Sequence, residues 1–381
     1  MIKEKIELHA KSLGFDLIGF TDVEVEKEPL EFYKNWLKKK YQGKMEYMEK
    51  LPARKDLSKI LANAKTVISL GMNYYYEQKP LKSGFGRVAR YAYGRDYHKI
   101  MGKKLKALEA FIKTLSPTAK TKSFVDTGPI LERSFAEKAG LGVIGKNSCL
   151  ITKEFGSWVF LAEVITDLEL VEKQTERVFL KKPCRNFEHH ACEKFARAYK
   201  LDRANFATVL EKTLAQADQF PLCGTCTRCM DACPTKAIIA PGVIDARKCI
   251  SYLTIENKKQ IPKKFHDIIR KTRKLYGCDI CQEVCPHNRR ASVIPATSVI
   301  PAKGGIFSKS LPGQASKVLT GEKSPAGNIE PLLSRKIAGD SLNLKKILAI
   351  KSDAEFLSLF AGSPLMRAKR KGLQRNAKIL R

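Results

Sequence analysis

No run of about 18 consecutive apolar residues occurs anywhere in the chain, which excludes an ordinary membrane-spanning helix. The N-terminus, MIKEKIELHAKSLGF, has no apolar core, no twin-arginine pair and no small-residue cleavage site. Nothing there directs the protein to export, so a cytoplasmic location without membrane attachment is the expectation. No self-similarity at a solenoid period is present, which excludes a repeat array. Acidic residues are few, 39 against 70 Lys and Arg, leaving a net charge of +31. Such a surplus suits a polyanionic partner, because basic side chains displace counterions from phosphates. It also serves an anionic membrane surface or solubility alone.

What is plentiful is cysteine, eleven residues in 381, beside an apolar content of 44% that is ample for ordinary cores. In a reducing compartment disulfides do not persist, so these are thiols or metal ligands.

The hydrophobic periodicity predicts an opening amphipathic helix, a helix around Glu31–Lys50, a strand at Thr66–Tyr75 and a helix around His98–Leu115. A strand at Lys122–Val125 then runs into Asp126-Thr127-Gly128-Pro129, and Ile130–Ala139 has helical spacing with Pro129 suited to its first turn. Asp126 is therefore expected at a strand-to-helix junction. The glycines of 140–145 and two further strands ending near Leu170 close a first domain, 1–180. Lys181–Phe220 reads as an inserted, polar connector, 221–290 as a cysteine-dense module, and 291–381 as an irregular Pro, Gly, Ser and Lys-rich segment followed by a basic helical tail. The fold class expected is α+β, a mixed α/β domain joined to a ferredoxin-like module.

Cys223-x2-Cys226-x2-Cys229-x3-Cys233-Pro234 has the spacing with which bacterial ferredoxins wrap a cubane, three thiolates from one tight loop and the fourth serving the other cluster. Cys278-x2-Cys281-x3-Cys285-Pro286 repeats the pattern without its leading cysteine, for which the isolated Cys249 is the replacement. The crossing rule assigns Cys223, Cys226, Cys229 and Cys285 to one 4Fe–4S cluster and Cys233, Cys249, Cys278 and Cys281 to the other. Structural zinc is the alternative for thiolate tetrads, but zinc ribbons pair two Cys-x2-Cys knuckles instead. Cys184, His189, His190 and Cys192 are cramped for a zinc site and read as a polar loop, and Cys149 reads as a packed core thiol.

Two motifs mislead. Gly140-x-Gly142-x-x-Gly145 matches the dinucleotide fingerprint in letters, but its order is helix, glycines, strand, the reverse of what that site needs. Asp96-Tyr97-His98-Lys99-Ile100-Met101-Gly102 approaches a corrinoid histidine loop, with its glycine one place late.

Taken together, Gly86–Lys99, Asp126-Thr-Gly-Pro-Ile-Leu-Glu-Arg133, Ala139–Ser148, Cys223–Pro234, Cys249–Glu256, Gly277–Asn288 and Gly362–Ala377 resemble the epoxyqueuosine reductase family along most of the chain. The connector departs from that pattern, where a short link is expected. The resemblance implies that 1–180 binds cobalamin and that an external donor's electrons pass through two 4Fe–4S clusters to cobalamin. It also implies reduction of the epoxide of epoxyqueuosine in a tRNA anticodon loop to the alkene of queuosine. On the same ground Asp126 is the general acid, provided that burial raises its pKa enough to keep it protonated, where its position at a strand-to-helix junction would equally suggest a helix N-cap. Cobalamin contacts are expected from Asp126, Lys146, Asn147 and Ser148, and by position from Arg54, Tyr97 and Ser251. Tyr91, Tyr93 and Arg95, with Arg367, Lys369, Arg370, Lys371, Arg375 and Lys378 in the tail, are candidate RNA contacts on a monomer. The rival readings are a reductive dehalogenase and a soluble two-cluster electron carrier.

Overall fold

The computed structural model describes residues 1–171, 222–291 and 337–381. The first domain is built on a four-stranded antiparallel sheet in the order β1 (Leu17–Asp22), β2 (Thr66–Asn73), β7 (Val159–Thr166), β4 (Thr121–Phe124). On one face lie α1 (Ile2–Ser12) and α3 (Tyr97–Leu115), sharing a core with Ile68, Leu70, Phe160 and Val164. On the other lies α4 (Glu132–Lys138), packed against Val67, Ile165 and Phe124. Both inner strands are sandwiched between helices, which explains why β2 is buried at every position. The close seat of α4 needs Gly19, where a Cβ would lie 2.3 Å from the Ala139 carbonyl.

The helix expected over 31–50 is shorter and earlier, α2 at Lys27–Lys38. The chain then turns through left-handed backbone at Lys40 and Gly43 and docks on the cysteine module, the Lys44 N–H donating to the Tyr252 hydroxyl at 2.9 Å. A side chain at Gly43 would strike that hydroxyl. The helix expected from Ile130 begins at Glu132, so Pro129 belongs to the preceding bend. The glycine stretch is a hairpin, β5 (Val143–Ile144) pairing antiparallel with β6 (Leu150–Ile151), and Gly142 lets the Ile151 carbonyl approach its Cα closely.

A second sheet ties distant segments together: β3 (Phe85–Val88) lies between β10 (Lys274–Tyr276), parallel to it, and β11 (Ser341–Asn343), antiparallel. Beneath it one core unites Val88 and Ala92 with α5 (Ile250–Ile255), α6 (His266–Thr272) and the C-terminal helix α7 (Lys369–Leu380). The tail is thus packed into the cysteine module and does not stand apart from it. A small hairpin, β8 (Ile238–Ala240) with β9 (Val243–Ile244), follows the first cysteine run. Asp279, buried between Cys278 and Cys281, accepts the backbone N–H of Arg90 at 2.8 Å, and the Arg90 guanidinium reaches Glu283 at 2.8 Å. Among the described residues no helix is long and apolar enough to cross a membrane. The connector with Cys184, His189, His190 and Cys192, and the segment expected to be irregular from 292 to 336, lie outside the described residues.

Candidate functional site

One of the two cysteine sets expected from the spacing surrounds a common space, and the members of the other lie within electrostatic reach of one another. A cavity is lined by Cys223, Cys226, Cys229 and Cys285 together with Lys146, Asn147 and Pro286. Burial, and then Cys223, Cys285 and Cys226, push the free Cys229 thiol up to about 11. In the second set burial pushes Cys278 up to about 12, with Cys249 adding to it. Cys281 is raised by burial and by Cys149, Cys249 and Cys278, and Cys249 feels Cys233. Backbone N–H groups point at the sulfurs: Lys146 to Cys223 at 3.5 Å, Ala237 to Cys233 at 3.2 Å, and the first turn of α5, Ser251 and Tyr252, to Cys249. Such donors stabilise thiolates and tune a cluster's potential. Cys149 is not in an apolar core. It lies beside Cys281, Cys285 and Cys249, with burial pushing its own thiol up to about 11.

Asp126 sits in the bend after β4 with left-handed backbone, φ 57°. It caps no helix, since Leu131 holds the N-cap position of α4. Its Oδ2 accepts the Tyr97 hydroxyl at 2.8 Å and lies 3.4 Å from Nε2 of His98. The His98 Nδ1 pairs with Asp96 at 2.8 Å. Both ring nitrogens therefore face carboxylates, and His98 is not free to approach a metal from below, as the misplaced glycine of its motif suggests. Tyr97 is fixed between Phe160 and the His98 ring, with centroids 4.1 Å away on each side.

The electrostatics differ from what a buried acid alone would show. Partial burial favours the neutral form of Asp126, but His98 and Tyr97 outweigh this and hold its carboxyl below the usual range. His98 loses charge stability through burial, yet Asp126 and Asp96 lift it to about 9, so it is an imidazolium at neutral pH. The Asp126 side chain keeps 60% of its surface accessible. Tyr47 feels Glu256 at the end of α5 as well as Asp126. Tyr91 packs edge-on to Tyr97 and against Tyr276, which precedes Cys278 by two residues. Groups of both the first domain and the cysteine module thus lie around Asp126.

Of the other expected cofactor contacts, Arg54 is buried, donating to the carbonyls of Lys50 and, at 3.5 Å, Gly128, so it props the Asp126 loop. Ser251 is half-buried on α5. Lys146, Asn147 and Ser148 are spent elsewhere: Lys146 Nζ donates to Gly224 at 2.6 Å, Asn147 Nδ2 to Cys281 at 3.5 Å, and Ser148 Oγ to Gly242 at 2.6 Å. All three partners are backbone carbonyls of the cysteine module, so these side chains brace the cluster loops and are not open donors. In the tail Arg367 forms a two-pronged pair with Glu256, Arg370 pairs with Asp353, and Arg375 is fixed on the carbonyls of Leu253, Asn257 and Lys259. Lys369, Lys371 and Lys378 remain exposed. Tyr91 is an interior wall residue, while Arg95 is exposed and Tyr93 partly so. Sequence reasoning missed His98 as a partner of Asp126, and missed the half-buried Glu132 and the fully buried Glu163 that feel its charge.

Residues 54–127 match the family model described as epoxyqueuosine reductase QueG, DUF1730, and residues 222–288 match that of a 4Fe-4S double cluster binding domain. The chain is 34% identical to an epoxyqueuosine reductase of Gloeobacter violaceus over 98% of its own length and 94% of the relative's. It is 39% identical to one of Cyclobacterium marinum over 74% of its length and 77% of the relative's. Among solved structures it resembles an epoxyqueuosine reductase crystallised with an epoxyqueuosine-modified tRNA-Tyr stem loop, at 28% identity and TM-score 0.71, covering 99% of this chain and 80% of that one. It likewise resembles the Bacillus subtilis enzyme with its catalytic aspartate loop swung out of the active site, at 27% identity and TM-score 0.70, with the same coverage.

Proposed function

The chain belongs to the epoxyqueuosine reductase family, and on that premise we propose that it reduces the epoxide of epoxyqueuosine in a tRNA anticodon loop to the alkene of queuosine, with Asp126 as proton donor. The observation that carries this is the accessible carboxylate of Asp126, held by Tyr97 and His98 and within electrostatic reach of Tyr47, which also feels Glu256 of the cysteine module. In the proposal Cys223, Cys226, Cys229 and Cys285 hold one 4Fe–4S cluster and Cys233, Cys249, Cys278 and Cys281 the other, relaying single electrons from an external donor.

Removing the epoxide oxygen consumes two electrons at once, and bound cobalamin would supply them as a two-electron store. The residues present fit such a group: Asp126 offers an accessible carboxylate, and the neighbouring His98 ring pairs with Asp96 and faces Asp126, so His98 would not be needed as a ligand. Asp126, Tyr97, Arg54 and Ser251 are the residues proposed to hold it, Arg54 through the loop it props and Ser251 from α5. Domain 1–180 is accordingly proposed as the cobalamin-binding domain, and 221–290 as the electron-relay domain.

The protein's own part is proton handling. Tyr97 and the His98 imidazolium stabilise the carboxylate left after Asp126 gives up its proton, making it a strong acid that needs reloading between turnovers. Arg95, Tyr93, Lys369, Lys371 and Lys378 are the accessible groups proposed for RNA. The test is to incubate the anaerobically reconstituted protein with cobalamin, a strong reductant and tRNA carrying epoxyqueuosine, and to identify the nucleosides by mass spectrometry. Queuosine formed by the wild type and lost on Asp126→Asn supports the reading; no queuosine, with both clusters intact and corrinoid bound, rejects it.

A further inference from the structure

Glu163 occupies the middle of β7, directly opposite Ser69 of β2 and Phe124 of β4, and is fully buried on the face covered by α4. Its carboxyl faces that of Glu132 from α4, the two side chains being close enough to share a proton, and beyond that contact neither its oxygens, nor the Ser69 hydroxyl, nor Oε1 of Glu132 has a hydrogen-bond partner. Polar atoms so sparsely paired in one interior are costly unless the site has a use for them, because each forfeits its hydration. The Glu132 carboxyl lies against the backbone N–H of Asp126, and its charge is felt by Tyr97, whose hydroxyl donates to Asp126.

The chemistry states what this site would do. Conversion of an epoxide to an alkene takes two electrons and two protons: one C–O bond breaks and the oxygen takes a proton to become a hydroxyl, then the second C–O bond breaks and that oxygen leaves as water with another. A single carboxyl carries one proton. We propose that Glu132 and Glu163 hold a proton in reserve behind Asp126 and return it, through the Tyr97 hydroxyl, once Asp126 has delivered its own. The inference rests on the reductase reading above, which supplies the electrons.

The surroundings agree. Burial first, and then the Asp126 charge, push Glu132 up to about 8, and burial with Glu132 raises Glu163 well above the ordinary carboxyl range. The charged and titratable groups facing the pair are Asp126 from the bend after β4, Tyr97 from α3 and Arg133 from α4. Arg133 alone is cationic, and its guanidinium is engaged by the Ser148 carbonyl. One proton shared between two carboxyls at neutral pH is the state this arrangement favours. Glu132 and Glu163 touch no reacting atom and act through Asp126, as positioning residues for a proton.

The first test needs no variant: infrared spectra of the holoenzyme with carboxyl-labelled glutamate, recorded from pH 5 to pH 10, should show the carbonyl stretch of a protonated glutamic acid persisting at pH 7. Its absence there means both carboxyls are ionised and overturns the proposal. Glu163→Gln keeps the shape and should abolish that band. In tRNA turnover it should shift the descending limb of the pH profile to lower pH and enlarge the solvent deuterium effect, with cluster absorbance unchanged. A wild-type pH profile and isotope effect in Glu163→Gln would also overturn it. Should the wild type itself fail to form queuosine, the function reading falls, while the infrared band still decides whether the pair holds a proton.

Discussion

The Tyr97 hydroxyl donates to Oδ2 of Asp126 at 2.8 Å while its ring is clamped between Phe160 and His98. The donor therefore cannot swing away, and the carboxylate is pre-stabilised before any substrate arrives.

Tyr97→Phe removes that donor and keeps the stacked ring. A hydrogen bond to a charged group contributes about 1.5–3 kcal/mol, so turnover is expected to fall about ten- to hundredfold. The Asp126 carboxyl should move back up toward its ordinary range, carrying the pH at which activity declines upward. An unchanged pH profile would show that the hydroxyl does not set the acidity of Asp126.

His98 predicts the pH dependence of stability. Its value is raised in the fold, from 6.5 to about 9, so its pairing with Asp96 and Asp126 is fully present below pH 6.5 and is lost as the pH climbs through about 9. Melting temperatures of the wild type and His98→Gln should differ most at low pH and converge above pH 9. A constant gap would assign the ring's contribution to packing alone.

Cys249 stands apart from both cysteine runs in sequence, yet the first-turn N–H groups of α5 point at its sulfur. Cys249→Ser in anaerobically reconstituted protein should lose about half the iron, the share of one of two clusters, while Cys223→Ser loses the other half. Full iron in the Cys249 variant would remove it from the ligand set.

Lys369 and Lys371 are exposed at the start of α7, whereas Arg375 on the same helix is tied to three carbonyls. Alanine at both lysines should leave the melting temperature unchanged and weaken tRNA binding, flattening its salt slope by about 0.7 for each phosphate no longer neutralised. Arg375→Ala should instead unfold earlier, since buried carbonyls lose their donor at about 1–3 kcal/mol each. Equal effects on binding and stability from both variants would make the helix purely structural.

The cysteine sets were legible because ligand spacing is local: a cubane is wrapped by one loop, and the crossing of Cys233 and Cys285 follows from it. The inner strands β2 and β7 were legible for a similar reason, each being an apolar run, whereas β1, with Gly19, Thr21 and Asp22 among its six residues, was not. Partners supplied from far along the chain were not. Lys146, Asn147 and Ser148 follow glycines that suggest an open backbone, and only the fold shows that their side chains reach Gly224, Cys281 and Gly242. The charged run of α7 gives no indication which arginines turn inward, because that depends on the carbonyls at the end of α5. Glu163 did leave a signal, a single acid inside Val159–Thr166, where every neighbour is apolar or a small hydroxyl residue. A strand buried on both faces cannot place that carboxyl in solvent.

The sheet that joins β3, β10 and β11 also sets an order of events. The ribosome releases β3 early, β10 only between the two cysteine runs, and β11 last, so the middle strand waits for both its neighbours. During that interval the cysteine loops are out while the core beneath them still lacks α7. The core that α7 completes packs against Cys249 and Cys278, so the C-terminal helix is the last segment to close over that pair of thiols.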